Sequence, residues 1–368
     1  MNKGVSRCTD IMITRYELLP SPAILVITLR RIGDVLLTTP LIRSLRRAWP
    51  EAKIDALVFV DTADILKDNP DLDDVIVMPR RATIAQSIAL ATHLWKHYTL
   101  AISTQTGDRP SFFALIAGHV AVGPVDDRFT GRLKQFFFQR STRASSSLHR
   151  VNEVLNLADL LGIERVSELV SPKFSRIPQI ASGGRYAVIH AVPMYRYKQW
   201  TRQGWRALAA ALVERGFDIV ATGGPDELER RSLDDLWSET KVERLDGRLS
   251  WSELSGLLSR AGVYVGPDTS VTHLAAAVGC PTIALYGPTD PRVWGPWPVG
   301  GLPRPWLAAE SIQRRGNVWV VQNPLPCLPC QLEGCERRLD SHSCCLDELS
   351  VKQVLIAVDG ALARAAAH

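Results

Sequence analysis

The feature that most constrains this chain is its alternation of short, wholly apolar runs with segments of helical periodicity. AILVITL (residues 23–29) is rich in β-branched residues and carries no polar alternation, so it reads as a strand covered on both faces. From Asp34 to Ala48 the apolar positions Val35, Leu36, Leu41, Ile42 and Leu45 follow helical spacing, closed by Trp49 and Pro50. The pattern then recurs. KIDALVFV and DVIVM read as strands, TIAQSIALATHLWKHY as a helix, TLAIST as a strand and SFFALIAG as a helix. Parallel strands need long crossovers, and repeated strand–helix units supply them, so the pattern predicts a parallel sheet with helices on both faces.

The rhythm breaks at SPKFSRIPQIASGG (171–184), where prolines, serines and a glycine pair mark a linker. Beyond it the alternation restarts with YAVIHAV, a helix through 205–215, FDIVATGG, a charged helix from Pro225 and a helix at 251–260. GVYVGP, a helix at 269–278 and PTIALYG complete it. At about 150 residues per domain, 368 residues fit two domains. The expected division is an N-terminal extension (1–22), an N-terminal domain (23–175), a C-terminal domain (176–350) and a final helix (351–368). Two doubly wound halves would place a ligand between them, at the carboxyl ends of their strands.

Hydrophobic residues at 46% and charged residues at 22% exclude a disordered or fibrous chain. The 43 Lys+Arg against 38 Asp+Glu leave +5, too mild to argue for nucleic acid but suited to an anionic ligand or brief contact with an anionic membrane surface. No run reaches the roughly 20 apolar residues of a membrane span. The nearest, 112–122, is interrupted by Gly118 and His119. The first twenty residues scatter charges and lack the apolar stretch of a signal peptide, so a cytoplasmic protein is expected.

Three segments carry chemistry. In LRRIGDVLLTTP (29–40) a buried strand runs through Gly33, read here as permitting a tight turn, into a helix starting at or near Asp34. Asp34 is either a helix N-cap or a carboxylate facing the cleft, able to take a proton from an attacking hydroxyl. HAVPMYRYKQWTRQGW (190–205) gathers donors at Tyr195, Arg196, Tyr197 and Lys198. Lys198 is either a solvated loop lysine or a counter-charge for a diphosphate, while Trp200 and Trp205 are expected to pack. In VGPDTSVTHLAAAVGCPTIALYGPTDP (265–291) a strand meets a helix at Thr269 and Ser270, whose hydroxyls and N–H groups suit an anion. Asp268 is a cap or a ligand contact there, and His273 is a core histidine or is aimed at the same point.

Together these segments resemble glycosyltransferase family 9, the ADP-heptose:lipopolysaccharide heptosyltransferases. The resemblance rests on LRRIGDVLLTTP, on HAVPMYRYKQW, on DTSVTHLAAA and on Tyr286 to Pro291 (YGPTDP). TQTGDRPSFFALIAGHVAVG and HRVNEVLNLADLLGI also look like family positions. It implies a GT-B fold of two Rossmann-like, doubly wound α/β domains facing a central cleft, the first for acceptor and the second for nucleotide-sugar. It also implies inversion without a catalytic metal. Asp34 would be the general base, Lys198 with Thr269 and Ser270 would hold the donor phosphates, Asp268 would contact the donor sugar, and His273 would support that loop. The family usually has Gly where this chain has Ser270, and small residues where it has Tyr195, Arg196 and Tyr197. In that loop the chain resembles enzymes acting later in the inner core.

The expected reaction is heptose transfer from ADP-heptose to the lipopolysaccharide inner core, with transient contact at the inner face of the inner membrane and no nucleic acid. The alternatives are another donor or acceptor, including an autotransporter protein, and a sugar-nucleotide-binding protein without turnover. A dinucleotide oxidoreductase is disfavoured because RRIGD lacks G-x-G-x-x-G. PCLPCQLEGCERRLDSHSCCLDEL has C-x2-C-x4-C-x8-C-C spacing. It reads either as a structural Zn or Fe site at Cys327, Cys330, Cys335 and Cys345, or as free thiols. The resemblance extends to autotransporter heptosyltransferases in which such a stretch binds iron.

Overall fold

The computed structural model describes residues 21–174, 176–180 and 183–365. All but the last two residues of the expected N-terminal extension therefore lie outside the described residues. The first half is a six-stranded sheet of β1 (Ala23–Thr28), β2 (Lys53–Phe59), β3 (Asp74–Met78), β4 (Tyr98–Ser103), β5 (Gly118–Val125) and β6 (Arg140–Arg143). The order is β3-β2-β1-β4-β5-β6, and all pairings are parallel. Its crossovers are α1 (Ile32–Leu36) with α2 (Thr39–Ala48), a 3-10 segment (Val60–Leu66) between β2 and β3, α3 (Ile84–Leu94), α4 (Asp108–Ala117) and α5 (Phe129–Phe137), and α6 (Arg150–Leu161) follows β6. The apolar runs read as doubly covered strands are so: β1 packs Leu25 and Ile27 into one core cluster, and Ile24 and Val26 into the cluster on the other face.

The second half repeats the plan with β7 (Tyr186–Ile189), α7 (Arg202–Glu214), β8 (Asp218–Ala221), α8 (Glu227–Trp237), β9 (Glu243–Arg244), α9 (Trp251–Arg260), β10 (Val263–Pro267), α10 (Ser270–Ala277) and β11 (Thr282–Leu285). A short α11 (Pro291–Trp294), a hairpin of β12 (Ile312–Arg315) and β13 (Val318–Val321), α12 (Cys344–Asp347) and α13 (Val351–Ala365) complete it. The sheet order is β12-β13-β11-β10-β7-β8-β9, with β12 alone antiparallel. Trp200 and Trp205 pack edge to face at 5.0 Å in its core, and α13 closes that core with Val354, Ala357, Val358 and Ala361.

Two local expectations change. The helix expected from Asp34 to Ala48 begins at Ile32 and divides at Leu37–Thr38, where Thr38 turns its hydroxyl onto the Asp34 carbonyl. Such side-chain bonding to the backbone competes with the helix. The apolar run at 112–122 is two elements: α4 ends at Ala117 and β5 begins at Gly118. A β-carbon at Gly118 would lie 2.4 Å from the Val120 carbonyl, so only glycine fits that corner.

Each sheet has one point where strand order reverses, between β1 and β4 in the first half and between β7 and β10 in the second. At such points the loops diverge and leave room for a ligand at the carboxyl ends. Asp34 follows β1, Lys198 follows β7 and Asp268 follows β10. The fold therefore places all three at switch points.

Candidate active site

The halves meet through α1 and α10. Val35 and Leu36 share a core cluster with Val271, Leu274 and Ala275. A β-carbon on Gly33 would lie 3.3 Å from Ser270 Oγ and 3.6 Å from His273 Cδ2. Gly33 is helical, not in a left-handed turn. This corrects the sequence reading: the glycine serves close approach between the halves, not a tight turn.

Asp34 is 7% exposed, in the first turn of α1. It does not cap the helix, because the N-cap position is Arg31 and no side chain caps there. Its Oδ1 accepts no hydrogen bond, although Arg30 Nε lies at 3.4 Å and Arg150 Nε at 3.7 Å. Arg150, 2% exposed at the start of α6, is otherwise fixed by Glu153 Oε2 at 2.7 Å and by donation to the Thr104 carbonyl at 2.8 Å. Its Nε is also without a hydrogen-bond partner. Two buried, complementary groups thus face one another just beyond hydrogen-bond reach, leaving the carboxylate's acceptor capacity open.

Across the joint, Lys198 closes a 3-10 turn (Arg196–Lys198) and donates to Asp268 Oδ2 at 2.5 Å. It is therefore not a free loop lysine. Asp268 Oδ1 accepts from Tyr286 Oη at 3.3 Å and lies 4.0 Å from His273 Nε2. Burial works to raise the Asp268 pKa, but the Lys198 charge and hydrogen bonds from Lys198 and Thr289 hold it below the usual range. Thr269 is the N-cap of α10, accepting from Thr272 N–H, and Ser270 is its first helical residue. His273 is 5% exposed. Burial lowers its pKa most, with Lys198 adding to the effect against the opposing pull of Asp268 and Asp34, so the ring is neutral. The structure brings Asp34, Lys198, Asp268, Thr269, Ser270 and His273 to one joint.

Sequence reasoning assigned no role to Arg150, Arg30, Tyr286 or His149. HRVNEVLNLADLLGI looks like a family stretch, but nothing local in it reveals that its first two residues reach the joint. His149 accepts from Val151 N–H at Nδ1, so Nε2 carries the proton and donates to the Gly295 carbonyl at 2.8 Å; its ring lies 4.7 Å from Trp297. Trp297 in turn donates to the Ser167 carbonyl at 2.7 Å. Arg31 spans the joint on its other side, donating to Tyr195 Oη at 2.7 Å.

The cysteine segment lies beside the second sheet. The ligand atoms of Cys335, His342 and Cys344 all lie within 4.8 Å of one another, with Cys335 Sγ to Cys344 Sγ at 3.6 Å and Cys344 Sγ to His342 Nε2 at 3.8 Å. Ligands about 2.1–2.3 Å from a tetrahedral zinc would be separated by about 3.5–3.8 Å, so this donor set fits. The sequence reading omitted His342 and preferred Cys345 to Cys344. Cys345 is buried, and burial and the neighbouring thiols push its thiol up to about 12. Cys327 is exposed and Cys330 half-buried.

The family model for glycosyltransferase family 9 (heptosyltransferase) matches residues 88–300. The chain belongs to glycosyltransferase family 9. It is 28% identical over 286 residues to lipopolysaccharide heptosyltransferase 3 of Escherichia coli, covering 72% of this chain and 83% of that one. To lipopolysaccharide heptosyltransferase 1 of Pseudomonas aeruginosa it is 26% identical over 326 residues, covering 85% and 87%. The solved structure of E. coli ADP-heptose lipopolysaccharide heptosyltransferase II superposes with a TM-score of 0.72 at 18% identity, covering 93% of this chain and 99% of that one. The protein is thus a glycosyltransferase with the GT-B arrangement. Among the described residues no helix is long and apolar enough to cross a membrane.

The buried histidines make stability depend on pH. Burial holds His149 and His190 at about 4, against about 6.5 when unfolded. Between these values the unfolded chain binds the extra protons, so stability is full above about pH 6.5 and falls as pH drops, by ~1.4 kcal/mol per unit for each histidine. His149→Gln keeps a donor for the Gly295 carbonyl and should remove about half of the contribution of these two histidines, read as the wild-type minus variant difference in the pH slope of the unfolding free energy between about pH 4.5 and 6.5, measured by denaturant titration. Identical slopes would show that His149 is not buried neutral.

Proposed function

We propose that this enzyme transfers heptose from ADP-heptose to a lipopolysaccharide inner-core acceptor, with inversion at the anomeric carbon. The observation that carries this reading is the unbonded Oδ1 of Asp34 at one switch point, across the joint from Lys198, Thr269 and Ser270 at the other. Asp34 takes the proton of the acceptor hydroxyl as its oxygen attacks the anomeric carbon. The bond to the diphosphate oxygen breaks, and negative charge grows on ADP. Lys198 keeps one proton on Asp268 and has two more for phosphate oxygens, while the N-terminal N–H groups of α10 and the hydroxyls of Thr269 and Ser270 receive the rest. Asp268, already held by Lys198 and Tyr286, shapes the donor loop and contacts the sugar, and His273 supports that loop. Arg150 orients Asp34. The donor occupies the second half and the acceptor the first, with the enzyme peripheral at the inner face of the inner membrane.

Cys335, His342 and Cys344, with a fourth ligand from Cys327, Cys330 or Cys345, would hold Zn or Fe in a structural role. Such an ion ties a loop that otherwise has little core of its own. No step of the transfer runs through it.

Incubation with ADP-heptose and lipopolysaccharide from a heptose-deficient core mutant should add one heptose residue to the acceptor and release ADP in equal amount, both read by mass spectrometry. Transfer to a protein but to no lipopolysaccharide would replace the acceptor with a polypeptide. ADP binding without any transfer would make the chain a binding protein.

For the cysteine segment, purified protein should carry about one equivalent of zinc or iron. Cys335→Ser should lose it and lower the melting temperature, with ADP affinity unchanged. Metal-free protein of full stability would contradict the site.

A further inference from the structure

Helix α5 carries its apolar side outward. At about 100° per residue, Phe129, Leu133, Phe136 and Phe137 fall within one arc of about 100°, and they are 82%, 52%, 85% and 53% exposed. Opposite that arc sits Gly131, the one buried residue of the helix, so near the preceding loop that a β-carbon there would lie within 2.1 Å of the Asp126 carbonyl. A surface helix ordinarily turns its apolar stripe to the core. This one packs by its glycine and leaves the stripe free.

The helix is anchored in that attitude. Lys134 donates to the Thr106 carbonyl at 2.5 Å and pairs with Asp108 at 2.6 Å, fixing α5 to the start of α4. The inward residues Leu94 of α3, Phe113 of α4 and Phe138 after α5 share one core cluster, so all three helices cover the same face of the sheet. On their outer side α3 and α4 expose Ile84, Ile88, Trp95 and Phe112 around an open apolar groove of about 410 Å³. Among the described residues six Phe and Trp side chains are exposed, and five of them (Trp95, Phe112, Phe129, Phe136, Phe137) lie on this layer.

The charge around the stripe selects its partner. The helix has no acidic residue, and besides the engaged Lys134 it carries Arg132, with Arg128, Arg140 and Arg143 flanking it. Arg128, Arg132 and Arg143 are exposed, and Asp126 and Asp127 are the only acids immediately before the helix. An aromatic stripe bordered by arginines is the composition that lies in a bilayer interface: rings among the upper acyl chains, guanidinium groups on anionic headgroups. A protein partner of ordinary surface would not call for both.

We infer that α5 docks on an anionic phospholipid bilayer, inserting Phe129, Leu133, Phe136 and Phe137 while Arg128, Arg132 and Arg143 contact lipid phosphates. The inference deepens the proposed function and rests on it only for the purpose of docking. Helix α5 leaves the carboxyl end of β5, on the same edge of the sheet from which Asp34 follows β1. A bilayer held there brings a lipid-anchored acceptor to the rim that leads to the base.

The test is co-sedimentation with vesicles of phosphatidylethanolamine and phosphatidylglycerol, compared with phosphatidylcholine. Wild type should bind the anionic vesicles, more weakly as salt rises, and prefer them to the neutral ones. Phe129→Ser/Phe136→Ser should weaken binding by about tenfold or more, leaving melting temperature, ADP affinity and turnover on a delipidated, water-soluble core acceptor at wild-type values. Undiminished binding by the double variant would overturn the inference. So would lipid-free dimerisation that the same substitutions abolish, which would assign the stripe to a second copy of the chain. Vesicle binding that responds as expected, with no transfer to any glycolipid, would support docking and overturn the proposed function instead.

Discussion

The N-terminal turns of α1 and α10 meet with Gly33 against Ser270, and the separation of the halves is set there by the absence of one β-carbon. Because Val35 and Leu36 bury themselves beside Val271 and Leu274, the contact is held by apolar packing as well as by shape. Both helices begin at the carboxyl ends of strands at switch points, so closing this joint fixes the distance between chemistry carried by separate domains. Around it, Arg31 on Tyr195, His149 on the Gly295 carbonyl and Trp297 on the Ser167 carbonyl fasten the rim with hydrogen bonds. At that contact the chain places the Ser270 hydroxyl against the glycine that leaves room for it.

The two carboxylates at the joint differ in what surrounds them, and the roles proposed for them follow that difference. Asp268 is saturated by Lys198, Tyr286 and Thr289 with His273 beside it, and its charge is stabilised against the cost of burial. A carboxylate so occupied organises a loop better than it accepts protons. Asp34 is equally buried but keeps an oxygen without a hydrogen bond, with two guanidinium groups close by. A proton acceptor needs that free lone pair, and the buried Arg150 keeps the oxygen directed.

Much of this was legible in the sequence because both sheets are parallel. Doubly covered strands announce themselves as continuous apolar runs, as β1 does, and the strand–helix alternation marks β4, β10 and β11. The motif residues were legible because a strand end followed directly by a helix start is a local pattern. What was not legible depends on tertiary approach. The role of Gly33 requires knowing that Ser270 arrives opposite it. Arg150 and His149 reach the joint from a helix more than a hundred residues from Asp34 in sequence, and a neutral, buried histidine looks like any other in a one-dimensional string. The cysteine spacing alone offers four ligands, so nothing in the string singles out His342. The periodicity of α5 is ordinary, and only burial reveals that its stripe faces outward.

The central claim is that Asp34 removes the acceptor proton, and Asp34→Asn tests it most directly. Asparagine keeps the shape and fits the same turn of α1, but it cannot take a proton. Turnover should fall by about 10²–10⁴, the usual worth of a general base, while ADP affinity and melting temperature stay at wild-type values. Turnover near wild type in that variant would contradict the account and place the base elsewhere in the joint.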